Sequence, residues 1–194
     1  MIAVYFNNKN TDKKTKAETD RLVADLEKGL KTNQFLLDRF SGRFDAQDSM
    51  MGLLINGELT EENFRRNRIL NDLMGNSTQY AWLQDENIIT ILQKERDFDP
   101  TYNQLIKLIK SYKSRLDDLE KTAEELNELG NWNEKLMADN FDWYSGTTKE
   151  DRDKKVQYIL RDPFYKNRLS LFRKKFKNQI SNITSMVAIR AAIM

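Results

Sequence analysis

The stretch PFYKNRLSLFRKKFKNQISNITSMVAIRAAIM, residues 163–194, decides how this chain is read. It follows Asp162, and Asp-Pro is a strong helix start: the carboxylate accepts an orphan backbone N–H, and proline at the first helical position lacks the N–H that would go unpaired. Leu169, Phe172, Phe176, Ile180, Ile183, Val187, Ala191 and Met194 then recur at steps of three and four, the mark of one helical face. Its last nine residues carry a single charge, Arg190. At 1.5 Å per residue such a helix spans about 48 Å. A compact domain of this length has a radius of gyration of about 16 Å. The spacing therefore predicts a rod whose apolar edge is covered by another molecule. The same stripe packed inside the chain's own fold is the alternative.

Upstream the same logic predicts more helices. Leu22, Leu26, Leu30, Leu37, Phe40 and Phe44 share a face, so a first helix is expected over 15–41, stopped by Gly42. MIAVYF, residues 1–6, reads as a short extended segment. Asn56-Gly57 signals a turn. A hairpin fits it, but Thr60 followed by Glu61 and Glu62 favours helix–turn–helix. A second helix runs to about Met74 with Phe64, Ile69, Leu70 and Leu73 inward, and Asn76 to Thr78 opens a third with Tyr80, Leu83, Ile88, Ile91 and Leu92 inward. Asp99-Pro100 starts a fourth, expected to end at Gly130, in which Leu105, Tyr112, Leu119 and Leu126 repeat every seven residues, a coiled-coil-like seam. A short helix over 133–144 follows. Thr147-Thr148-Lys149-Glu150 is expected to be a capping box, opening a helix that ends near Arg161.

Composition agrees. Leu outnumbers Val 22 to 4, and there are two Pro and seven Gly in 194 residues; unbranched side chains favour helix over strand. Leu, Ile, Val and Phe make up about a quarter of the chain, enough for a core, and a mean hydropathy of −0.74 keeps that core thin. The fold expected is an all-α, elongated bundle of six or seven helices, with a short extended N-terminus and a long C-terminal helix. It divides into a bundle over 1–162 and a basic, apolar arm over 163–194.

With no Cys and no His, disulfides, thiol nucleophiles, thiolate or imidazole metal ligands and the usual acid–base switch are excluded. No run reaches the roughly 20 apolar residues of a membrane span, and the N-terminus lacks a basic leader. The expected setting is intracellular or virion-associated, neither secreted nor transmembrane. The carboxylate pairs Asp97/Asp99 and Asp151/Asp153 adjoin helix starts, where acids stabilise backbone ends. No catalytic, cofactor or metal site is nominated, and no small-molecule substrate is expected.

Charge is unevenly spread. Residues 163–194 hold Lys166, Arg168, Arg173, Lys174, Lys175, Lys177 and Arg190 with no acid, whereas residues 114–142 hold nine acids and three bases. Solvated faces, mutual attraction within or between chains, and an anionic partner all account for this. The expected function is a non-enzymatic assembly protein: a helical adaptor, scaffold or ring component, as a homo-oligomer or within a larger complex. Contacts are expected from Leu169, Phe172, Phe176, Ile180, Ile183, Val187, Met194, Trp132 and Trp143. At the level of fold alone this is similar to small helical head–tail adaptors of tailed phages, with no shared motif. The alternative is a nucleic-acid-binding accessory protein using Arg168, Arg173, Lys174, Lys175 and Lys177. A membrane contact is disfavoured, because the basic cluster precedes the apolar section.

Overall fold

A computed structural model describes the backbone of residues 2–66, 74 and 86–194, and the side chains of these from residue 16 onward. The fold is all-α. The helices are α1 (Ile2–Asn56), α2 (Glu61–Arg66), α3 (Glu86–Gln93), α4 (Asn103–Asn140), α5 (Lys149–Arg161) and α6 (Pro163–Ile193), with 3-10 turns at Glu95–Asp97, Pro100–Tyr102 and Asp142–Tyr144. There is no strand among the described residues.

Several expectations are corrected. Helix α1 begins at Ile2, in place of the extended N-terminus, and it continues through Gly42. The left-handed stop comes at Gly57, with φ +75°. Its N–H donates to Leu54 O at 3.1 Å, and the N–H of Glu58 donates to Leu53 O at 2.9 Å, the two bonds of a Schellman cap. Helix α4 likewise runs through Gly130 to Asn140, absorbing the short helix predicted after it. In the capping box of α5 the carboxylate belongs to Asp151 rather than Glu150: Thr148 Oγ1 accepts from the Asp151 N–H, and Asp151 accepts from the Thr148 N–H. The remainder of the second predicted helix beyond Arg66, apart from Met74, and the start of the third with Tyr80, Trp82 and Leu83, lie outside the described residues.

Other starts fall where the sequence puts them. Thr60 Oγ1 accepts from the Asn63 N–H at 3.2 Å. Asp99 accepts from the Thr101 N–H at 2.9 Å, and Asp162 from the Tyr165 N–H at 2.6 Å.

The chain forms two compact units, one of Met1–Asp38, Ala81–Asp117 and Thr184–Met194, the other of Arg39–Tyr80 and Asp118–Ile183. This departs from a division into 1–162 and 163–194, because α1, α4 and α6 each supply side chains to two cores. In the first unit Leu26, Leu30 and Leu37 of α1, Ile88 and Ile91 of α3, Ile106, Ile109, Tyr112 and Leu116 of α4, and Met186 of α6 are buried. Arg190, the lone charge of the apolar tail, donates from Nε to Leu30 O at 3.3 Å. The tail is thus held by residues of its own chain.

In the second unit Phe44, Met51, Leu54, Phe64, Leu119, Leu126, Val156, Ile159, Tyr165, Leu169, Phe172 and Phe176 are among the buried residues. The rings of Phe44 and Phe176 meet edge to face at 5.0 Å. On α6 the buried positions 165, 169, 172, 176, 179, 183 and 186 alternate by four and three, with Asn182 also buried beside that row. This is the 3.5-residue repeat of a coiled-coil seam. It puts Gln179 and Met186 on the core face, and leaves Ile180 and Val187 half-buried on its flank and Ala191 and Met194 exposed. The sequence-based stripe follows apolar residues; the helix follows the repeat.

Two predictions follow from these cores. Gln179 is fully buried, and neither its Oε1 nor its Nε2 has a hydrogen-bond partner in the protein. Gln179→Met keeps the volume and removes the unpaired amide, so it is expected to raise stability by about 1–2 kcal/mol, read from urea midpoints. Tyr112 is also buried, and burial, the largest influence, pushes its hydroxyl above the usual value while Asn33 and Arg190 pull it back. A tyrosine kept neutral in the fold but ionising freely when unfolded draws stability down as pH rises past about 10, with no effect below about 9. Tyr112→Phe is expected to remove this part of the alkaline loss, measured as urea midpoints at about pH 8 and about pH 11.

Candidate interaction surface

Within the second unit, α4 and α6 run antiparallel. Lys175 pairs with Glu125, and Arg168 reaches Asn133, about two turns later on α4 and earlier on α6. Facing residues therefore have numbers summing to about 300. This register sets Leu171 level with Leu129 and Phe164 level with Leu136.

Arg168 sits at the centre of this seam. Its Nε donates to Asn133 Oδ1 at 2.9 Å, and its Nη2 donates to the Tyr158 hydroxyl at 2.6 Å. The guanidinium lies 5.9 Å from the Trp132 ring centre and 6.0 Å from that of Tyr165. Asn133 and Tyr165 are buried, so these contacts are shielded from water and correspondingly strong. Behind them, Tyr158 packs on Phe141 at 4.7 Å, on Trp143 at 5.5 Å and on Tyr165 at 5.7 Å. Phe141 and Trp143 stack at 4.8 Å. The aromatic-rich stretch 132–144 thus divides. Trp143 joins a ring cluster that braces the turn into α5, while Trp132 lies outside it.

Around Arg168 the surface is apolar. Phe164 is 71% exposed, Trp132 51% and Leu171 48%. Phe164 and Leu171 stand four residues before and three after Arg168, its neighbours on the helix surface. Three of the six large apolar side chains exposed among the described residues thus share one strip. The sequence reading missed Phe164 and Leu171, which fall off the core stripe. Their seven-residue spacing was the available signal.

The other expected contact residues lie elsewhere. Leu169, Phe172, Phe176 and Ile183 are buried by the chain itself, which removes them from any surface for a partner. Met194 is exposed in the first unit. The basic residues of α6 are largely committed. Arg173 forms a two-pronged pair with Asp48, Nε to Oδ1 at 2.8 Å and Nη2 to Oδ2 at 3.0 Å, and that carboxylate holds the guanidinium pKa above its usual value. Gly52 makes room for it: a Cβ there would lie 2.9 Å from Arg173 Nη2. Lys175 holds Glu125 below the usual carboxylate range. Lys174 and Lys177 are exposed.

Three carboxylates of the two pairs are likewise occupied. Asp99 and Asp151 cap helices. Asp153 accepts from Arg65 at 2.5 Å, and Arg65 also donates to Glu61. A groove of about 600 Å³ in the first unit is lined by Lys16, Asp97, Phe98, Asp99 and Tyr102 among others; its Tyr102 hydroxyl donates to Asp20 at 3.3 Å. Among the described residues no group of three acids is placed to hold a metal ion, and no helix is long and apolar enough to cross a membrane. Comparison with protein-family models, curated proteins and solved structures found no match.

Removing Arg168 strips a partner from buried Asn133 and from Tyr158. Arg168→Ala is expected to cost about 2–3 kcal/mol, whereas Phe164→Ala and Leu171→Ala should each cost about 0.5 kcal/mol or less. Thermal or urea unfolding of the three variants checks this split between a structural anchor and a surface strip.

Proposed function

We infer that the chain is a non-enzymatic structural protein, a helical scaffold or adaptor that assembles with itself or within a larger complex. The observation that carries this reading is the strip of Trp132, Phe164 and Leu171 around Arg168. Large apolar side chains on a soluble surface mark contact sites when they are contiguous. Trp, Tyr and Arg are the residues that dominate interface energetics. This strip is also braced from beneath: Arg168 is held at both ends of its guanidinium, so little side-chain freedom remains to be lost on docking.

Nucleic acid is the less supported partner. Of the five cations on α6 suggested for phosphate contact, Arg168, Arg173 and Lys175 are engaged by side chains of their own unit. Lys174 and Lys177 remain exposed, a small footprint for a polyanion.

A photo-crosslinking amino acid in place of Trp132, in the full chain expressed in its cells of origin, tests the reading. The expected result is a discrete crosslinked protein species, absent when the same group replaces exposed Lys149. Crosslinking at Trp132 to no polypeptide overturns it.

A further inference from the structure

Charged side chains flank the strip on both helices. On α4, Glu124 and Glu128 are exposed on its outer side; on α6, Lys174 is exposed, and no acid occurs from residue 163 to the end. Lys174 stands level with position 126 of α4 in the antiparallel register, midway between the two glutamates. Lys121 and Lys135, the cations on that side of α4, stand level with Gln179 and Tyr165, which carry no charge. The apolar residues are offset as well. Trp132 stands level with Arg168, between Phe164 and Leu171.

A face of this kind can meet a second copy of itself about a two-fold axis lying in the contact plane. If the axis runs across the helices, α4 meets α4 and α6 meets α6, so Lys174 faces a helix that carries no acid. If it runs along the helices, α4 of each copy lies over α6 of the other. Glu124 and Glu128 then flank the partner's Lys174, and Trp132 enters the notch between the partner's Phe164 and Leu171. The second arrangement gives Lys174 acidic neighbours while burying the three exposed apolar side chains. Like charges across a contact suppress it.

We propose that the Trp132–Phe164–Leu171 strip is the contact between two copies of this chain, α4 of each lying parallel to its own counterpart and over α6 of the other. This rests on the assembly reading above and names its partner.

The test uses the full purified chain in sedimentation velocity, in a concentration series reaching about 0.2 mM. A shift from one chain mass to two is expected. Trp132→Ser with Leu171→Ser should weaken association at least ~10-fold with helical content and melting retained. Glu124→Lys with Glu128→Lys, and separately Lys174→Glu, should each weaken it, and an equal mixture of the two should restore it. Orientation is read by disulfide trapping, because the chain has no cysteine of its own. Glu128→Cys mixed with Lys174→Cys should crosslink, and Glu128→Cys alone should not. A monomer throughout the series, association untouched by these substitutions, or Glu128→Cys linking to itself would overturn the proposal. If the chain is monomeric while a crosslinker at Trp132 still captures a different polypeptide, the two-copy contact is wrong and the assembly reading stands. If it captures none, both fall.

Discussion

The seven-residue repeat carried by α4 and α6 is the constraint from which the other features of the second unit follow. A row of buried positions on α6 steps by four and three from Tyr165 to Met186, with buried Asn182 beside it. A helix of 3.6 residues per turn keeps such a row inward only by packing against a neighbour along its length. Helix α4 answers with Leu119, Ala123 and Leu126. Each large apolar side chain buried in such a row contributes roughly 1.5–3 kcal/mol. That exceeds the cost of one misplaced polar residue, and so the row holds even where it carries Gln179 inward.

What the core row does not take is distributed to its flanks, and this decides the chemistry of α6. One flank turns Arg173 toward Asp48 and the space left by Gly52. The other turns Arg168 and Lys175 toward α4. Charges that look like a free basic patch in the sequence become ties between helices. Lys175–Glu125 is half-exposed and contributes at most about 1 kcal/mol. Arg168 matters more, because buried Asn133 depends on it. It also fixes the ground on which Trp132, Phe164 and Leu171 are displayed, so the candidate surface is a consequence of the same packing that makes the core.

Local chemistry was the legible part of the fold. Thr60, Asp99 and Asp162 cap helices because a short polar side chain reaches an orphan N–H whatever the rest of the chain does. Asn56-Gly57 marks a true end for a similar reason: glycine takes the left-handed conformation without steric cost. Gly42 and Gly130 carry the same signal and mean nothing of the kind. A glycine permits a left-handed stop and does not impose one. About 1 kcal/mol of helix propensity is readily outweighed by burial in the turns on either side. The N-terminal segment was misread as extended for a related reason, since six residues of mixed propensity do not by themselves choose between strand and helix.

The amino-acid sequence by itself determined that this protein is all-α, where most of its helices start, and that it lacks the side chains for thiol or imidazole chemistry. These are properties of single residues and their near neighbours. Tertiary structure decided which side of each helix is inside, that the apolar tail is anchored on its own chain by Arg190, and that Trp132, Phe164 and Leu171 stay exposed while Leu169, Phe172, Phe176 and Ile183 are buried. The physical reason is that a helix has several faces of comparable apolarity. Which of them is buried depends on the register of the helix beside it, and that register is set by contacts between residues far apart in the chain.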